Sequence, residues 1–464
     1  MKLGWPGRRW RTPEWVPRDP PLLMRLENSS LPAAATDARL VLGPASDVAR
    51  ALCADGMRGQ VRLVYLDPPY GSMADYTAET RFDGRADGDV KRTRAYTDTW
   101  TQRRGGFGAY LEMLAESIDA SVSLLRPDGV ICVHVDYRAS HYARLILEEI
   151  MGPNAFRNEI VWKRAPNLGR QAASAQYGRT LDTLLLYGMP KAKIVPDTRL
   201  EEIDPSSVRK DAQGGAFTLA PRGDYTDASV ARLEAEGRVH RSPSGKAYIK
   251  YALTQLPSGG WARERPVDAL WTDIAPMRHA PAKERTGFPT QKPLALLERV
   301  IRSTTDAGDT VVDLFSGSGT TAVAAVSLKR KAVAGDASGV ALWTLMSRLR
   351  RAGRSASIET SGPFSPELGS DCVHIARTEN GGVHVSLAPG VEPLAWACDV
   401  AGGDVFCAHW HAERPLTGAA RFVAREAFLT EWPKAVRLYE DDGRVIDTRA
   451  AEVSVIDTRA GDHS

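Results

Sequence analysis

A chain of 464 residues, 43% hydrophobic and 25% charged, is too long for one ordinary compact core and rich enough in apolar residues to build two or three modules. A net charge of +3 excludes a polycation that coats nucleic acid by charge alone, so any such affinity has to come from local basic patches. No apolar run approaches the ~20 residues of a membrane span, and the N-terminus, with Arg8, Arg9, Trp10 and Arg11, lacks the apolar stretch of a signal peptide, which makes the cytoplasm the expected compartment.

In chain order, residues 1–36 read as an irregular arm draped over another surface, because Pro13, Pro17, Pro20 and Pro21 oppose regular structure. The arm carries one basic stretch, Lys2, Arg8, Arg9, Arg11 and Arg18 among Trp5, Trp10 and Trp15. From residue 37 the pattern alternates. Leu40 to Leu42 predicts a short strand, Val48 to Cys53 a helix, and Val61 to Leu66 a buried strand that stops at Asp67-Pro68-Pro69-Tyr70. The segment from Gly71 to Gly108 is polar and basic and reads as a long loop. Apolar residues at Leu111, Leu114, Ile118, Val122 and Leu125 have a helical period, and Val130 to Val135 is a strand after the Pro127-Asp128-Gly129 turn. A helix over Tyr142 to Ile150 and strands at Ile160 to Trp162 and Leu184 to Tyr187 complete a block that ends near residue 190.

Residues 191–284, with Gly214-Gly215 and Pro257-Ser258-Gly259-Gly260, are more polar and irregular and read as an inserted module. Alternation returns over 285–350, with a helix at Leu294 to Ile301, a strand at Thr310 to Phe315, a helix from Thr320 and a strand at Ala332 to Gly335 that ends on Asp336. The two blocks predict one α/β doubly wound sheet interrupted by the insert. Residues 351–371 read as a Gly/Ser/Pro-rich linker and 372–464 as a small β-rich C-terminal module, within which Val445 to Ala450 recurs as Val455 to Ala460. The five cysteines include no C-x-x-C pair and are expected as reduced thiols; Cys407, His409 and His411 are read as ordinary strand positions, and no metal site is expected.

Two sites carry chemistry. Asp67-Pro68-Pro69-Tyr70 places a carboxylate at the carboxyl end of a buried strand, on a corner whose prolines fix φ and offer no N–H, so carbonyls stay free to accept hydrogen bonds. Asp313 to Thr321 runs from a strand through Gly317-Ser318-Gly319 into a helix, a turn in which backbone can approach a nucleotide-like ligand closely. It lacks the third glycine of a dinucleotide fingerprint and the lysine of a P-loop. About twenty residues further, Asp336 ends the next strand, where an acidic side chain can accept hydrogen bonds from ribose hydroxyls.

D-P-P-Y at Asp67 to Tyr70 followed by D-L-F-S-G-S-G-T-T at Asp313 to Thr321 resembles the β-class amino-methyltransferases of DNA, in which the catalytic block precedes the cofactor block. Thr286-Gly287-Phe288-Pro289-Thr290-Gln291-Lys292-Pro293 resembles their T-Q-K-P element, and Trp271 to Ile274, Gly129 to Asp136 and Asn158 to Trp162 stand where that family has similar segments, so the resemblance covers roughly residues 37 to 350. One departure is Gly43-Pro44, where the family has Gly-Asp; Asp47 is the candidate replacement for that contact with the cofactor adenine.

The resemblance implies a Rossmann-like methyltransferase sheet with S-adenosylmethionine as cofactor, residues 37–190 as its catalytic half, 285–350 as its cofactor half and 191–284 as a target-recognition region. It implies Asp67, Pro68, Pro69 and Tyr70 as catalytic residues. It implies Asp313, Phe315, Ser316, Gly317, Ser318, Gly319, Thr320 and Asp336 as cofactor contacts, with Thr290, Gln291 and Lys292 toward the methionine end. The substrate would be double-stranded DNA, its target base flipped out of the stack. Arg81, Arg85, Lys91, Arg92, Arg94 and Arg103 are the expected phosphate contacts of a mobile clamp. Family members with aspartate at the first position of the corner mostly act on N6 of adenine, whereas serine usually accompanies N4 of cytosine. Cytosine N4, an RNA or protein substrate, and an inactive DNA-binding regulator stay open at this point, as do a separate restriction endonuclease partner and a homodimer.

Overall fold

The computed structural model describes residues 3–5, 7–12, 19–21, 23–27, 37–81, 90–101, 105–166, 176–361 and eight short strands between 367 and 449. Stretches with strand periodicity form β1 (Leu23–Glu27), β2 (Ala38–Leu42), β3 (Val61–Leu66), a hairpin of β4 (Asp75–Arg81) and β5 (Val90–Thr97), then β6 (Leu125–Asp136), β7 (Phe156–Lys163) and β8 (Leu181–Gly188). Helical periodicity gives α1 (Ala45–Leu52), α2 (Gly106–Val122) and α3 (Ser140–Met151).

A separate compact unit, Val195–Asp268, comes next in the chain. It holds β9 (Thr198–Ile203), β10 (Arg209–Lys210), β11 (Ala216–Pro221), α4 (Asp227–Ala235), β12 (Val239–Arg241), β13 (Ala247–Ala252), β14 (Thr254–Gln255) and β15 (Trp261–Pro266). Its two antiparallel sheets run β10-β11-β13-β12 and β14-β15-β9. Helix α4 starts where Thr226 Oγ1 accepts from Ser229 N, and it buries Val230 and Leu233.

The main unit resumes with β16 (Leu270–Trp271), α5 (Leu294–Thr304), β17 (Thr310–Asp313), α6 (Thr320–Ser327), β18 (Lys331–Asp336), α7 (Gly339–Arg351) and β19 (Ala356–Ser361). Beyond these lie β20 (Glu367–Leu368), β21 (Val373–Arg377), β22 (Val383–Leu387), β23 (Ala395–Asp399), β24 (Trp410–Glu413), β25 (Glu426–Leu429), β26 (Ala435–Tyr439) and β27 (Val445–Arg449), in sheets of five and three strands. Among the described residues no helix is long and apolar enough to cross a membrane.

The architecture is a ten-stranded sheet in the order β1-β19-β2-β18-β17-β3-β6-β8-β7-β16, parallel from β19 to β6. This is the expected doubly wound α/β arrangement. Parallel strands are covered on both faces, and β3 shows it: all six of its residues are buried. At about 1.5–3 kcal/mol per fully buried aliphatic side chain, Val61, Leu63, Val64 and Leu66 are a main reason the strand forms. Its neighbours are β17, with Tyr65 opposite Asp313, and β6. The carboxyl ends of β3, β17 and β18 therefore open onto one crevice.

Four boundaries differ from the sequence reading. The arm is not wholly irregular, since β1 pairs antiparallel with β19 at the sheet edge, where prolines before it cost no ladder bond. Two of its basic residues are paired with acids: Arg8 meets Glu149 at 2.6 Å and Arg11 meets Asp119 at 2.6 Å, and Trp10 is fully buried with Nε1 donating to Asp119 at 3.0 Å. Residues 351–371 are not simply a linker, because β19 lies inside the sheet. Its polar Ser357 and Glu359 hid it, and Glu359 is buried because Arg39 pairs with it at 2.7 Å. The segment 71–108 contains the hairpin β4–β5 rather than one long loop. The separate unit is shorter than 191–284, since Leu270–Trp271 pairs in parallel with Val161–Trp162 of the main sheet. Of the Cys407, His409 and His411 alternation, Cys407 and His409 lie outside the described residues; among those described no group of side chains is suited to hold a metal ion.

Candidate active site

The ends of β3 and β17 face a single cavity of about 500 Å³. Asp67, Pro68, Pro69 and Tyr70 line it at the end of β3, and Asp313, Phe315, Ser316, Gly317, Ser318, Thr320 and Asp336 at the ends of β17 and β18. Thr290, Gln291 and Lys292, from the segment before α5, line it too. The sequence-derived site residues from three distant stretches thus come together, with Gly319 alone of the cofactor set standing outside the lining.

The Asp67 to Tyr70 corner is held by side chains. Asp67 Oδ1 accepts from the Tyr70 hydroxyl at 2.6 Å, and Oδ2 is paired with the Lys292 ammonium. The Lys292 Nζ also stands 5.3 Å from the centre of the Tyr70 ring. Burial, reinforced by the Asp67 charge, pushes the Tyr70 phenol far above its ordinary range, so it stays a donor. Beyond the corner, the carboxylate of Asp98, 1% exposed, accepts from the backbone N–H of Tyr70 (3.2 Å), Gly71 (2.9 Å) and Ser72 (2.7 Å) and from Trp100 Nε1 (3.0 Å). Sequence reasoning missed Asp98, which stands among basic residues; the signal it left is an acid beside Trp100 at the end of an alternating stretch. Beneath the corner, the Tyr65 hydroxyl shares a 2.7 Å hydrogen bond with His134 Nδ1, and His134 Nε2 lies 3.3 Å from Asp182.

The hairpin lies along the same cavity. Tyr76 and Tyr96 stack with ring centres 4.7 Å apart, and the Tyr96 hydroxyl shares a 3.0 Å hydrogen bond with Thr290 Oγ1. Of the residues read as phosphate contacts, Arg94 is exposed and lines the cavity. Arg81, Lys91 and Arg92 stand on the hairpin strands, and Arg85 and Arg103 lie outside the described residues.

The glycine turn is held by backbone. Asp336 accepts from Gly317 N at 2.8 Å and from Ser338 N at 2.8 Å; burial nevertheless raises its carboxyl to about 6. Asp313 accepts from Phe315 N at 3.0 Å, and burial raises it to about 7. Gly317 has φ +50, and a Cβ there would come within 3.3 Å of the Phe288 ring. Gly319, at φ +76, serves packing: a Cβ would fall 2.4 Å from Leu345 of α7. Arg348 of α7, another residue the sequence did not single out, donates to Ser318 O at 2.7 Å, and burial lowers its guanidinium to about 10. The buried Ser316 hydroxyl lines the cavity with no hydrogen-bond partner.

In the segment before α5, Gln291 turns its amide into its own loop: Oε1 accepts from Thr286 N (2.9 Å) and Thr286 Oγ1 (2.7 Å), and Nε2 donates to Glu284 O (2.7 Å). Thr290 takes φ +58 and Lys292 is aimed at Asp67. Asp47, the candidate for the adenine contact, pairs instead with Arg50 at 2.6 Å on α1; Pro44, Ala45 and Ser46 line the cavity there.

The family model described as DNA methylase matches residues 61–341. The chain is 27% identical over 349 residues to the Type II methyltransferase M.EcaI of Enterobacter cloacae, an alignment covering 69% of this chain and 72% of that protein. It is 24% identical over 315 residues to the StyLTI Mod subunit of a Type III restriction-modification enzyme of Salmonella typhimurium, covering 58% of this chain and 47% of that protein. Among solved structures it is similar to the M1.HpyAVI–SAM complex, with a TM-score of 0.37 and 18% identity over 67% of this chain and 98% of that one.

Proposed function

The chain belongs to the N6/N4 DNA methylase family, and within it we propose that this protein transfers a methyl group from S-adenosylmethionine to the N6 amino group of adenine in double-stranded DNA. The observation that carries the reading is the one cavity that Asp67 and Tyr70 share with Gly317 and Asp336.

The residues present fit this cofactor. Asp336 offers a carboxylate at a strand end for ribose hydroxyls, Gly317 leaves room under Phe288, and the partnerless Ser316 hydroxyl offers a polar contact in an otherwise satisfied turn. Asp336, Ser316, Phe315 and Gly317 would hold it. When bound, it supplies an electrophilic methyl group on a sulfonium centre.

The protein's own part is to make an exocyclic amino nitrogen nucleophilic. That lone pair is delocalised into the base ring, so the nitrogen attacks only when drawn out of conjugation. Asp67 and the Pro68 carbonyl accept its two hydrogens, and Tyr70 stacks on the base that has left the duplex. The nitrogen would take the methyl group as the methyl–sulfur bond breaks, leaving a neutral thioether, and would give up its surplus proton to solvent. The unit Val195–Asp268 reads the surrounding bases, and the hairpin arginines meet phosphates. Pairing with a restriction endonuclease fits a relative named as the Mod subunit of a restriction-modification enzyme.

Adenine rests on aspartate at position 67, the residue that mostly accompanies adenine in the family the sequence resembles. Incubation with DNA and labelled cofactor, followed by mass spectrometry of the nucleosides, is expected to give N6-methyladenine. N4-methylcytosine alone would replace the base assignment, and transfer only to RNA or protein would replace the substrate.

A further inference from the structure

Lys292 was expected at the methionine end of the cofactor, yet its ammonium is spent on the catalytic carboxylate. Both oxygens of Asp67 already have donors, the Tyr70 hydroxyl on Oδ1 and Lys292 on Oδ2. The Lys292 side chain is only 11% exposed and that of Asp67 16%, so water does little to screen the pair. The lysine is also delivered by a braced loop: Gln291 is locked to Thr286 and Glu284, and Glu284 in turn accepts from Leu294 N at 2.7 Å at the start of α5.

The other groups around Asp67 make that charge consequential. Tyr65 and Tyr70 from β3 and the corner, Tyr96 from β5 and Cys132 from β6 are neutral near pH 7, while Asp313 from β17 is a buried carboxyl; Asp182 from β8 faces Lys292. Exposed Arg94 lines the same cavity. Without Lys292, Oδ2 of Asp67 would lose its donor, and the neutral phenols and thiol and the acid Asp313 around it supply no replacement charge. A carboxylate held at Oδ1 alone could turn away from the place where the amino group must be polarised.

We propose that Lys292 is a positioning residue for methyl transfer, holding the Asp67 carboxylate oriented so that its remaining lone pairs meet the entering amino group. This rests on the methyltransferase reading of the cavity. It predicts a lysine whose loss is felt in the reaction and not in cofactor binding.

The test compares wild type with K292M, K292R and, if K292M melts early, K292Q. Three quantities are read: cofactor affinity by calorimetry, the single-turnover methylation rate, and the carboxyl 13C NMR signal of Asp67 in the cofactor-free protein, assigned by difference against D67N. In K292M, cofactor affinity should stay within about threefold, the rate should fall at least about tenfold, and the Asp67 carboxyl signal should move from its wild-type position. K292R should keep most of the rate. An unmoved Asp67 signal overturns the proposal, as does loss of cofactor affinity in parallel with rate, which would make Lys292 a cofactor contact. If wild type methylates no DNA, the functional reading fails while the Asp67 signal still decides the role of Lys292.

Discussion

At the end of β3 the cavity wall is made of side chains gripping side chains, whereas at the end of β17 it is made of carboxylates gripping backbone. Asp67 is fixed by Tyr70 and Lys292; Asp336 and Asp313 are fixed by the N–H groups of Gly317, Ser338 and Phe315. The first arrangement can lose one side chain and keep its shape. In the second the carboxylate and the loop define each other. The corner has one hybrid feature, Asp98, which grips backbone from outside the reacting groups.

Substitutions should separate the two walls. Asp67→Ala is expected to lower single-turnover methylation at least about a thousandfold while cofactor affinity stays within about threefold, because it removes polarisation of the target nitrogen and leaves the glycine turn untouched. Equal losses in both would merge the walls into one. Gly317→Leu should do the converse: equilibrium binding of the cofactor weakens about a hundredfold, since φ +50 and Phe288 at 3.3 Å leave no space for a side chain. Normal affinity would move the pocket elsewhere. Asp98→Ala strands three backbone donors and an indole, so we expect about 2–3 kcal/mol less stability in urea and a rate reduced by about tenfold, with affinity nearly unchanged.

The walls should also respond to acid differently. Asp313 and Asp336 hold protons more tightly folded than unfolded, with folded values of about 7 and about 6. The folded state therefore binds more protons across roughly pH 4 to 7, and their contribution to stability is lost as pH rises through that window. On the proposed site cofactor binding runs the other way, because ribose hydroxyls would donate best to an ionised Asp336. Affinity is expected to fall about tenfold between pH 8 and pH 5, and Asp336→Asn should flatten that dependence in the same titration. The smallest effect concerns neither wall: deletion from residue 362 should leave a folded protein with cofactor affinity within about twofold, and insolubility would place the C-terminal sheets in the core of the fold.

How legible each wall was follows from the range of its contacts. The Asp67 to Tyr70 corner and the Asp313 to Thr321 turn could be read because proline and glycine act within a few residues of themselves. The sheet as a class was readable from buried strands such as Val61 to Leu66. Lys292 against Asp67 was not, since it depends on loops that meet only when β17 lies beside β3. Asp98 was hidden in a stretch dominated by arginine. Strand β19 was missed because its buried Glu359 is tolerated only through Arg39, a partner 320 residues away in sequence. Gly319 was read as making room for a ligand, and what it makes room for is Leu345.

The position of β2 between β18 and β19 has a consequence for how the chain is made. Both neighbours of this early strand are encoded about 290 residues or more downstream, so at ~5–20 residues per second its two edges wait roughly 15–60 seconds or longer for partners. Leu40 and Val41, fully buried in the finished sheet, stand on a strand whose backbone lacks both sheet partners for that interval. Ribosomes that stall before β19 release a sheet open at its edge, the form most prone to edge-to-edge association.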